Sequence, residues 1–265
     1  MMTEARPTAL VTGASSGIGL ELARLFAKGG HDLILVARNE AKLNELSLYL
    51  GKMYRCNVEV IPADLSQPEV PEALVDELAK RGLTVEVLVN NAGFGENKVF
   101  AQQDMRRIME MIQLNMTTLT QLTRLLLPKM IAAKKGRILN VASVAAFAPG
   151  PLMAIYYATK AYVLSFSEAI GNELKGTGVT VTALCPGPTR TGFASAAGST
   201  NSNLYNAPGV MDAAPVAEAG YNACMKGKAV VIPGLLNQVL VWVIGVSPRW
   251  MVTPISRKLQ ERKME

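Results

Sequence analysis

The stretch "TALVTGASSGIG", residues 8–19, decides the fold. Its first five residues form an apolar run of strand length, and "GLELARLFAKG" (19–29) continues with apolar residues at helical spacing. Gly13, Gly17 and Gly19 permit a tight turn and let a pyrophosphate approach the backbone N–H groups at the helix N-terminus. Because the turn lies directly between the first strand and the first helix, we favour this interpretation over a turn that merely links the two. It predicts a dinucleotide site.

Six further apolar runs of strand length follow, with helix-period segments between them. The runs cover residues 32–37, 58–62, 86–90, 137–143, 179–185 and 229–233. Strands that are apolar on both faces are buried on both faces, and alternating strands and helices imply right-handed crossovers. We therefore predict the α/β fold class, with a doubly wound parallel sheet of about seven strands and helices on both faces. No linker divides the chain, so a single domain spanning residues 1–265 is expected.

Composition excludes several function classes. The chain has one histidine, His31, and three cysteines far apart in sequence, Cys56, Cys185 and Cys224. We therefore expect no metal site, no His-based triad and no redox pair, and unpaired cysteines with apolar neighbours suit the cytoplasm. The net charge of +6 is modest and the basic residues are scattered, so we expect no nucleic-acid partner. The N-terminus has no apolar run before the first strand, so a secretory signal is not expected.

The end of the second strand bears on which dinucleotide binds. An acidic residue at this position binds the ribose 2′-hydroxyl, whereas an arginine suits a 2′-phosphate. The chain has Ala37 and Arg38 here, so NADP(H) is predicted over NAD. Asp64, after the third strand, is expected either to cap the next helix or to contact the adenine. The tetrapeptide "NNAG" (90–93), after the fourth strand, could tie loops together and line the same cleft.

The segment "AIYYATKAY", residues 154–162, holds three tyrosines and one lysine. A tyrosine hydroxyl has a pKa of about 10, and a nearby cation lowers it by stabilising the phenolate. On a helix, Tyr156 lies four residues before Lys160 and Tyr157 lies three before it, whereas Tyr162 points elsewhere. Helix geometry alone therefore does not decide whether Tyr156 or Tyr157 acts with Lys160. Two amphipathic side chains packed on one helix face are the structural alternative.

The motifs taken in order resemble those of the short-chain dehydrogenase/reductase family. "TGASSGIG" (12–19), "NNAG" (90–93), a serine after the fifth strand, "YYATK" (156–160) and "CPGPTRT" (185–191) follow one another on one α/β chain. The resemblance covers about residues 8–232. It implies a Rossmann fold and a nicotinamide cofactor.

The resemblance also implies a catalytic tetrad. The family's Y-x-x-x-K motif selects Tyr156 over Tyr157, and its upstream serine and asparagine are matched by Ser143 and Asn115. Tyr156 would then exchange a proton with the substrate oxygen, and Ser143 would polarise that oxygen. Lys160 would lower the pKa of the phenol and bind the nicotinamide ribose. Asn115 would hold a water that connects Lys160 to solvent.

The same resemblance assigns the cofactor site. By it, the nicotinamide is bordered by Pro186, Gly187 and Thr189, and Thr191 contacts its amide or the phosphates. The predicted set comprises Gly13, Ser15, Ser16, Gly17, Ile18, Gly19, Arg38, Asp64, Leu65, Asn91, Ala92, Gly93, Tyr156, Lys160, Pro186, Gly187, Thr189 and Thr191. Many NADP-using relatives carry a basic residue where this chain has Ser16, so the predicted preference rests mainly on Arg38.

The segment 186–209 is long and polar, and a segment of this kind in a compact domain is usually a functional loop. We predict that it is a substrate lid. The predicted pocket wall is apolar and comprises Ala145, Ala146, Phe147, Met153 and the 190–209 loop. Arg190 is the single candidate there for binding a carboxylate.

Residues 234–265 are predicted to form a C-terminal helical extension. The segment 229–251 is dense in apolar residues, but polar and helix-breaking residues interrupt it, which disfavours a membrane span. We expect a helix at a homodimer or homotetramer contact. Two alternatives stay open: a helix that caps a lipophilic pocket, or peripheral contact with an anionic membrane through Trp242, Trp250 and a basic flank. That flank consists of Arg249, Arg257, Lys258, Arg262 and Lys263, against Glu261 and Glu265.

The resemblance therefore predicts an NADP(H)-dependent carbonyl reductase or alcohol dehydrogenase. The apolar pocket wall favours a fatty-acyl, steroid-like or small aromatic substrate. One alternative is an NADP(H)-binding sensor or scaffold without turnover, which the intact Ser143, Tyr156 and Lys160 argue against. The other is a sugar epimerase or dehydratase, which can use the same Tyr–Lys pair but usually has a different glycine spacing.

Overall fold

The structure is a computed structural model that describes residues 6–200, 202–206 and 209–261. The strands of its main sheet are β1 Thr8–Thr12, β2 Asp32–Ala37, β3 Val58–Pro62, β4 Val87–Asn90, β5 Gly136–Val141, β6 Val179–Leu184 and, after a separate pair, β9 Val230–Val231. The separate pair is β7 Thr189–Arg190 and β8 Met211–Asp212. The main sheet is parallel with the order β3-β2-β1-β4-β5-β6-β9. The predicted fold class is therefore confirmed.

Helices connect the strands and cover both faces of the sheet. They are α1 Gly17–Lys28, α2 Glu40–Tyr54, α3 Val70–Lys80, α4 Met105–Ile112, α5 Leu119–Ala132, α6 Ala154–Glu173, α7 Phe193–Ala196, α8 Ala213–Met225, α9 Leu235–Val246 and α10 Arg249–Gln260. A π-helical segment, Gln113–Thr118, joins α4 to α5. Short 3-10 helices cover Phe100–Gln102, Val144–Phe147 and Asn203–Asn206.

The core has two halves because each central strand buries both of its faces. Val11 of β1 packs on one side of the sheet with Phe26 of α1 and Val216 of α8. Its neighbour Leu10 packs on the other side with Leu122 of α5. Successive side chains of a strand point to opposite faces, so a strand buried on both faces has a continuous apolar run.

The crevice at the carboxyl edge of the sheet follows from the strand order. β1 lies between β2 and β4, so the order reverses at this point. In open α/β sheets, ligands bind outside the carboxyl ends of the strands at such a switch point. The glycine-rich turn after β1 and the segment after β4 both begin there.

The last strand is shorter than predicted. Only Val230 and Val231 pair with β6, whereas the sequence predicts residues 229–233. Pro233 has no N–H to donate, and Gly234 has a φ of +85°, so the chain turns away from the sheet.

The predicted lid, 186–209, contains β7, α7 and a 3-10 helix, and its residues 201, 207 and 208 lie outside the described residues. The predicted extension contains α9 and α10, and the predictions on Arg262, Lys263 and Glu265 fall outside the description. Among the helices of the described ranges, none has the length and apolar character needed to cross a membrane.

Candidate active site

The turn after β1 needs glycine at three positions for two physical reasons. Gly13 and Gly17 have φ values of +66° and +57°, the left-handed region that side chains disfavour. A Cβ on Gly19 would collide with the Asn91 side chain and with the carbonyl oxygen of Gly13. The Gly13 N–H donates to the Val36 carbonyl at 2.8 Å, which fixes the turn against β2.

The N-terminus of α1 faces the crevice. Ser16 precedes the helix in extended conformation, and its side chain makes no capping hydrogen bond. The first turn of α1 carries no acidic residue. Ser15, Ser16, Gly17 and Ile18 all line the cavity described below. The backbone N–H groups of this turn and the helix dipole therefore suit an anionic group.

The segment after β4 is tied to this turn by a dense set of hydrogen bonds. Thr12 Oγ1 donates to the Val89 carbonyl at 3.1 Å and accepts from the N–H groups of Asn91 and Ala92, each at 3.0 Å. Asn91 Nδ2 donates to the carbonyl of Thr12 at 2.8 Å and to that of Gly13 at 3.2 Å. Asn91 thus acts as a brace between the two loops, as the sequence suggested for "NNAG".

Arg38 and Asp64 lie together at the carboxyl ends of β2 and β3. Both line the cavity, and the Arg38 side chain is exposed. Asp64 Oδ1 accepts from the N–H and the hydroxyl of Ser66, at 3.1 and 2.7 Å. Burial by itself would raise the pKa of Asp64, but these hydrogen bonds and the charge of Arg38 hold that pKa below its ordinary value. Asp64 does not cap α3, whose N-cap residue is Glu69, so this alternative is wrong.

Ser143, Tyr156 and Lys160 come together in one wall of the cavity. The Ser143 hydroxyl lies beside the Tyr156 side chain and donates to the Pro186 carbonyl at 3.3 Å. Lys160 Nζ donates to the Val141 carbonyl at 2.7 Å and lies 5.8 Å from the centroid of the Tyr156 ring. The predicted catalytic serine, tyrosine and lysine are thus neighbours.

The electrostatics of this cluster differ from the expectation that Lys160 lowers the pKa of the phenol. Burial raises the pKa of Tyr156, the nearby phenol of Tyr205 adds to the rise, and the bond to Ser143 opposes it. Burial lowers the pKa of Lys160 from 10.5 to about 8. The Lys160 ammonium is bonded to the Val141 carbonyl and not to the phenol, so the desolvation of the phenol is the main influence on its pKa.

Asn115 lies behind the wall rather than in it. It sits in the π-helical segment, where its Nδ2 donates to the Phe94 carbonyl at 2.9 Å and to Thr159 Oγ1 at 3.1 Å. Its Oδ1 accepts from the Phe94 N–H at 3.1 Å. A Cβ placed on Gly93 would lie 3.0 Å from Asn115 Oδ1 and 3.6 Å from Lys160 Nζ. Asn115 therefore holds the loop after β4 beside the lysine.

The segment after β6 passes over the glycine-rich turn. A Cβ on Gly17 would lie 3.0 Å from the Thr191 methyl group. Gly187 is covered from the other side by Asn237 of α9, whose side chain a Cβ on Gly187 would strike. Asn237 is buried, and its Nδ2 donates to the Pro233 carbonyl at 2.8 Å. α9 thus holds the segment predicted to border the nicotinamide.

These elements enclose a cavity of about 560 Å³. Every predicted cofactor residue lines it except Gly19, which packs behind the turn. Ala145 and Met153 of the predicted pocket wall line it, as do Phe193 and Tyr205 of the predicted lid. Much of the remaining wall comes from the end of the described chain. These residues are Leu240, Val243, Ile244, Ser247, Met251, Val252, Ile255, Ser256, Leu259 and Gln260.

Three predictions about the pocket wall are wrong. Ala146 and Phe147 line a second cavity, of about 440 Å³, because the 3-10 turn after Ser143 directs them away from the first. Arg190 lies on β7, where its exposed side chain pairs with Asp212 at 3.2 Å. It does not line the cavity, so it cannot bind a substrate carboxylate there.

Two buried polar residues that sequence reasoning missed hold α10 against the site. Gln260 Nε2 donates to the Tyr157 hydroxyl at 2.6 Å, and Ser256 lies beside this hydroxyl. Asn97 Nδ2 donates to the Gln260 carbonyl at 2.9 Å. The signal in the sequence was the spacing: Ser256 and Gln260 are four residues apart and thus share one face of a helix.

Comparison with known proteins finds similarity to short-chain dehydrogenases and reductases. A sequence model of the family described as short chain dehydrogenase matches residues 7–202. The very-long-chain 3-oxoacyl-CoA reductase-A of Danio rerio is 37% identical over 182 residues, which is 67% of this chain. The match covers 56% of that reductase, so this chain spans little more than half the length of such relatives.

Solved structures extend the likeness over most of the chain. A short-chain dehydrogenase from Sphingobium yanoikuyae, in complex with NADPH, has a TM-score of 0.80 and 35% identity, and the match covers 92% of this chain and 97% of the other. The bulky-bulky ketone specific alcohol dehydrogenase from Comamonas testosteroni has a TM-score of 0.76 and 34% identity, with 92% and 95% of the two chains covered.

Proposed function

This chain belongs to the short chain dehydrogenase family, and we propose that it transfers a hydride between NADP(H) and the carbonyl carbon of an apolar ketone or aldehyde. The observation that carries the proposal is the single cavity described above. It joins a glycine-rich anion site, the Ser143–Tyr156–Lys160 cluster and an apolar chamber. Hydride transfer to an apolar ketone or aldehyde requires these three parts to be continuous.

The residues around the turn suit a phosphorylated dinucleotide. The α1 N-terminus binds the pyrophosphate, and the exposed Arg38 binds the ribose 2′-phosphate, since an acidic residue is absent from the end of β2. When bound, NADPH supplies the hydride. NADPH is present in the related structure from Sphingobium yanoikuyae, which supports the preference for NADP(H) over NAD.

The proton comes from Tyr156. Burial raises the pKa of this phenol, and its hydroxyl donates the proton to the carbonyl oxygen when the substrate is reduced. When substrate is bound, the Ser143 hydroxyl turns from the Pro186 carbonyl, donates a second hydrogen bond to the same oxygen and stabilises the charge that develops on it. Lys160 binds the cofactor ribose with its ammonium, and Asn115 keeps the neighbouring loop in place.

The chamber next to these groups is apolar, which supports a lipophilic substrate. Val243, Ile244, Met251 and Ile255 line it beyond the catalytic cluster. The names of the relatives given above indicate that one acts on 3-oxoacyl-CoA and another on bulky ketones. We propose a ketone with a long acyl chain or another bulky apolar group, admitted past the loop 190–209 acting as a lid.

The test is NADPH consumption against ketones and aldehydes of increasing chain length. We expect kcat/KM to rise with chain length, because each methylene buried in the chamber contributes about 0.8 kcal/mol. Tyr156→Phe is the control, since it keeps the ring but lacks the proton. Binding of NADPH without turnover of any ketone would favour the sensor alternative instead. The predicted homo-oligomer and cytoplasmic location stay predictions.

A further inference from the structure

The helices α9 and α10 have an apolar face that nothing in the described chain covers. Helix α9 contains no charged residue, yet five of its large apolar side chains are exposed: Leu235, Leu236, Val239, Trp242 and Val246. They recur at intervals of three and four residues and so form one continuous face. Large exposed apolar patches mark interaction surfaces.

The two tryptophans of the chain belong to this face. Trp242, near the end of α9, is 68% exposed, and Trp250, near the start of α10, is 76% exposed. Only Ser247 and Pro248 separate the two helices, so the two indoles lie on either side of one tight connection. Tryptophan favours the boundary between water and lipid, because its ring is apolar and its N–H is polar.

The charges of the same segment have one sign. Residues 235–260 contain Arg249, Arg257 and Lys258 and no Asp or Glu. Arg257 pairs with Glu261 at 3.3 Å. A symmetric contact between two copies would bring two patches of the same positive charge together, which like-charge repulsion opposes. An anionic surface would instead attract them.

The catalytic cavity opens on this face. Its rim is formed by residues that line the cavity and are also exposed: Leu240, Val243, Met251 and Ile255. A substrate with a long apolar chain passing this rim would enter from whatever covers the face. If the cover is lipid, the chain need not cross water.

We propose that α9 and α10 dock this protein on the surface of an anionic lipid bilayer, with the mouth of the catalytic cavity facing the lipid. The docking is peripheral: the apolar face enters the boundary of the bilayer, and the basic side chains contact the headgroups. The role of the mouth as a substrate entrance rests on the proposed function, whereas the docking itself does not.

The first test uses intrinsic fluorescence, because both tryptophans lie on the proposed face. Vesicles of phosphatidylcholine with phosphatidylglycerol should shift the emission to shorter wavelength and protect it from iodide, and brominated lipid should quench it. Vesicles of phosphatidylcholine alone should bind more weakly. An emission spectrum unchanged by anionic vesicles would overturn the proposal. So would a shift that needs only higher protein concentration, which would assign the face to a second copy of the chain.

The second test is flotation of variants with those vesicles. Arg249→Gln and Lys258→Gln should each weaken binding about fivefold, the contribution of one basic residue near an anionic surface. Trp242→Ala with Trp250→Ala should abolish flotation. The matched controls are Lys52→Gln and Leu48→Ala, exposed on α2, which should float like the wild type. Equal losses in the control variants would contradict the assignment.

The third test separates docking from catalysis. Tyr156→Phe should bind vesicles like the wild type while losing turnover. The double tryptophan variant, neither of whose residues lines the cavity, should raise KM for a vesicle-bound long-chain ketone and leave KM for a short water-soluble ketone unchanged. Turnover without vesicle binding would refute the docking alone, and vesicle binding without turnover of any ketone would refute the proposed function alone.

Discussion

The adjacent tyrosines of α6 should respond in opposite ways to the same substitution. Tyr156→Phe removes the proton that reaches the substrate oxygen, and general acid catalysis of this kind is worth about 10²–10⁴-fold in rate. The ring stays, and so does its packing against Phe193, whose centroid lies 5.2 Å away. Ser143 keeps its bond to Pro186. We therefore expect a large loss of kcat with nearly unchanged NADPH affinity and thermal stability.

Tyr157→Phe removes no transferable proton but leaves the Gln260 Nε2 group without its acceptor. Gln260 is 1% exposed, so water cannot replace the 2.6 Å bond to the Tyr157 hydroxyl. An unsatisfied buried amide costs about 1–3 kcal/mol. For a chain of this size, such a loss lowers Tm by about 2–12 °C. Turnover of a short ketone should persist, while KM for a long-chain ketone should rise because α10 is held less firmly.

The assay measures Tm by thermal denaturation, NADPH affinity by fluorescence titration and turnover by NADPH consumption. Tyr162→Phe is the matched control on the same helix, since the Tyr162 hydroxyl bonds Thr120 Oγ1 at 2.8 Å, away from the cavity. It should keep turnover. If folded Tyr157→Phe loses more than about 100-fold in kcat while Tyr156→Phe remains active, the assignment of the proton donor is wrong.

Three further outcomes are expected. Since burial lowers the pKa of Lys160 from 10.5 to about 8, the unfolded chain binds one more proton than the folded chain between these pH values, and the free energy of unfolding should rise with pH across that window. In urea titrations, the free energy of unfolding of the wild type minus that of Lys160→Met should therefore increase with pH there, and a value independent of pH would contradict the buried charge. Arg38→Asp should weaken NADPH binding about 10–100-fold and NADH binding far less, whereas equal affinity of the wild type for both cofactors would refute the role of Arg38. Gly187→Ala should destabilise by about 1–3 kcal/mol because its methyl group meets Asn237, and the cost should shrink in an Asn237→Ala background; an unchanged cost in that background would show that the two residues do not interact.

The strands were predictable because their physical signal is local. β1, β2 and β3 match the predicted bounds, since each is a mainly apolar run of strand length. The glycine-rich turn was equally readable, because positive φ and close packing both demand glycine. Contacts between residues far apart in the chain give a weaker signal in the sequence. The hydrogen bond between Gln260 and Tyr157 joins residues 103 positions apart, and the periodicity of apolar residues within one helix or strand cannot predict a contact of this kind.

The pocket wall was the least predictable part, for reasons that lie in particular residues. Ala146 and Phe147 follow Ser143 directly, but a 3-10 turn rotates them out of the cavity. Arg190 looked available in a polar loop, whereas β7 places it opposite Asp212. α9 is apolar on nearly all sides, so its sequence could not indicate which side faces the cavity. The polar clues to its orientation were two adjacent residues, Asn237, which is buried, and Gln238, which is exposed.

The π-helical turn between α4 and α5 has a consequence for how this protein can change by insertion and deletion. A π turn holds one residue more than an α turn of the same length, and such turns are frequent at functional sites. Deleting one residue between positions 113 and 118 would let the segment return to regular α-helix, which is the commoner and more stable form. The gain would come with a rotation that carries the Asn115 amide away from Phe94, and the loop beside Lys160 would lose its anchor. Shortening this segment therefore trades activity for helical regularity, so selection for stability alone would erode the site at this point.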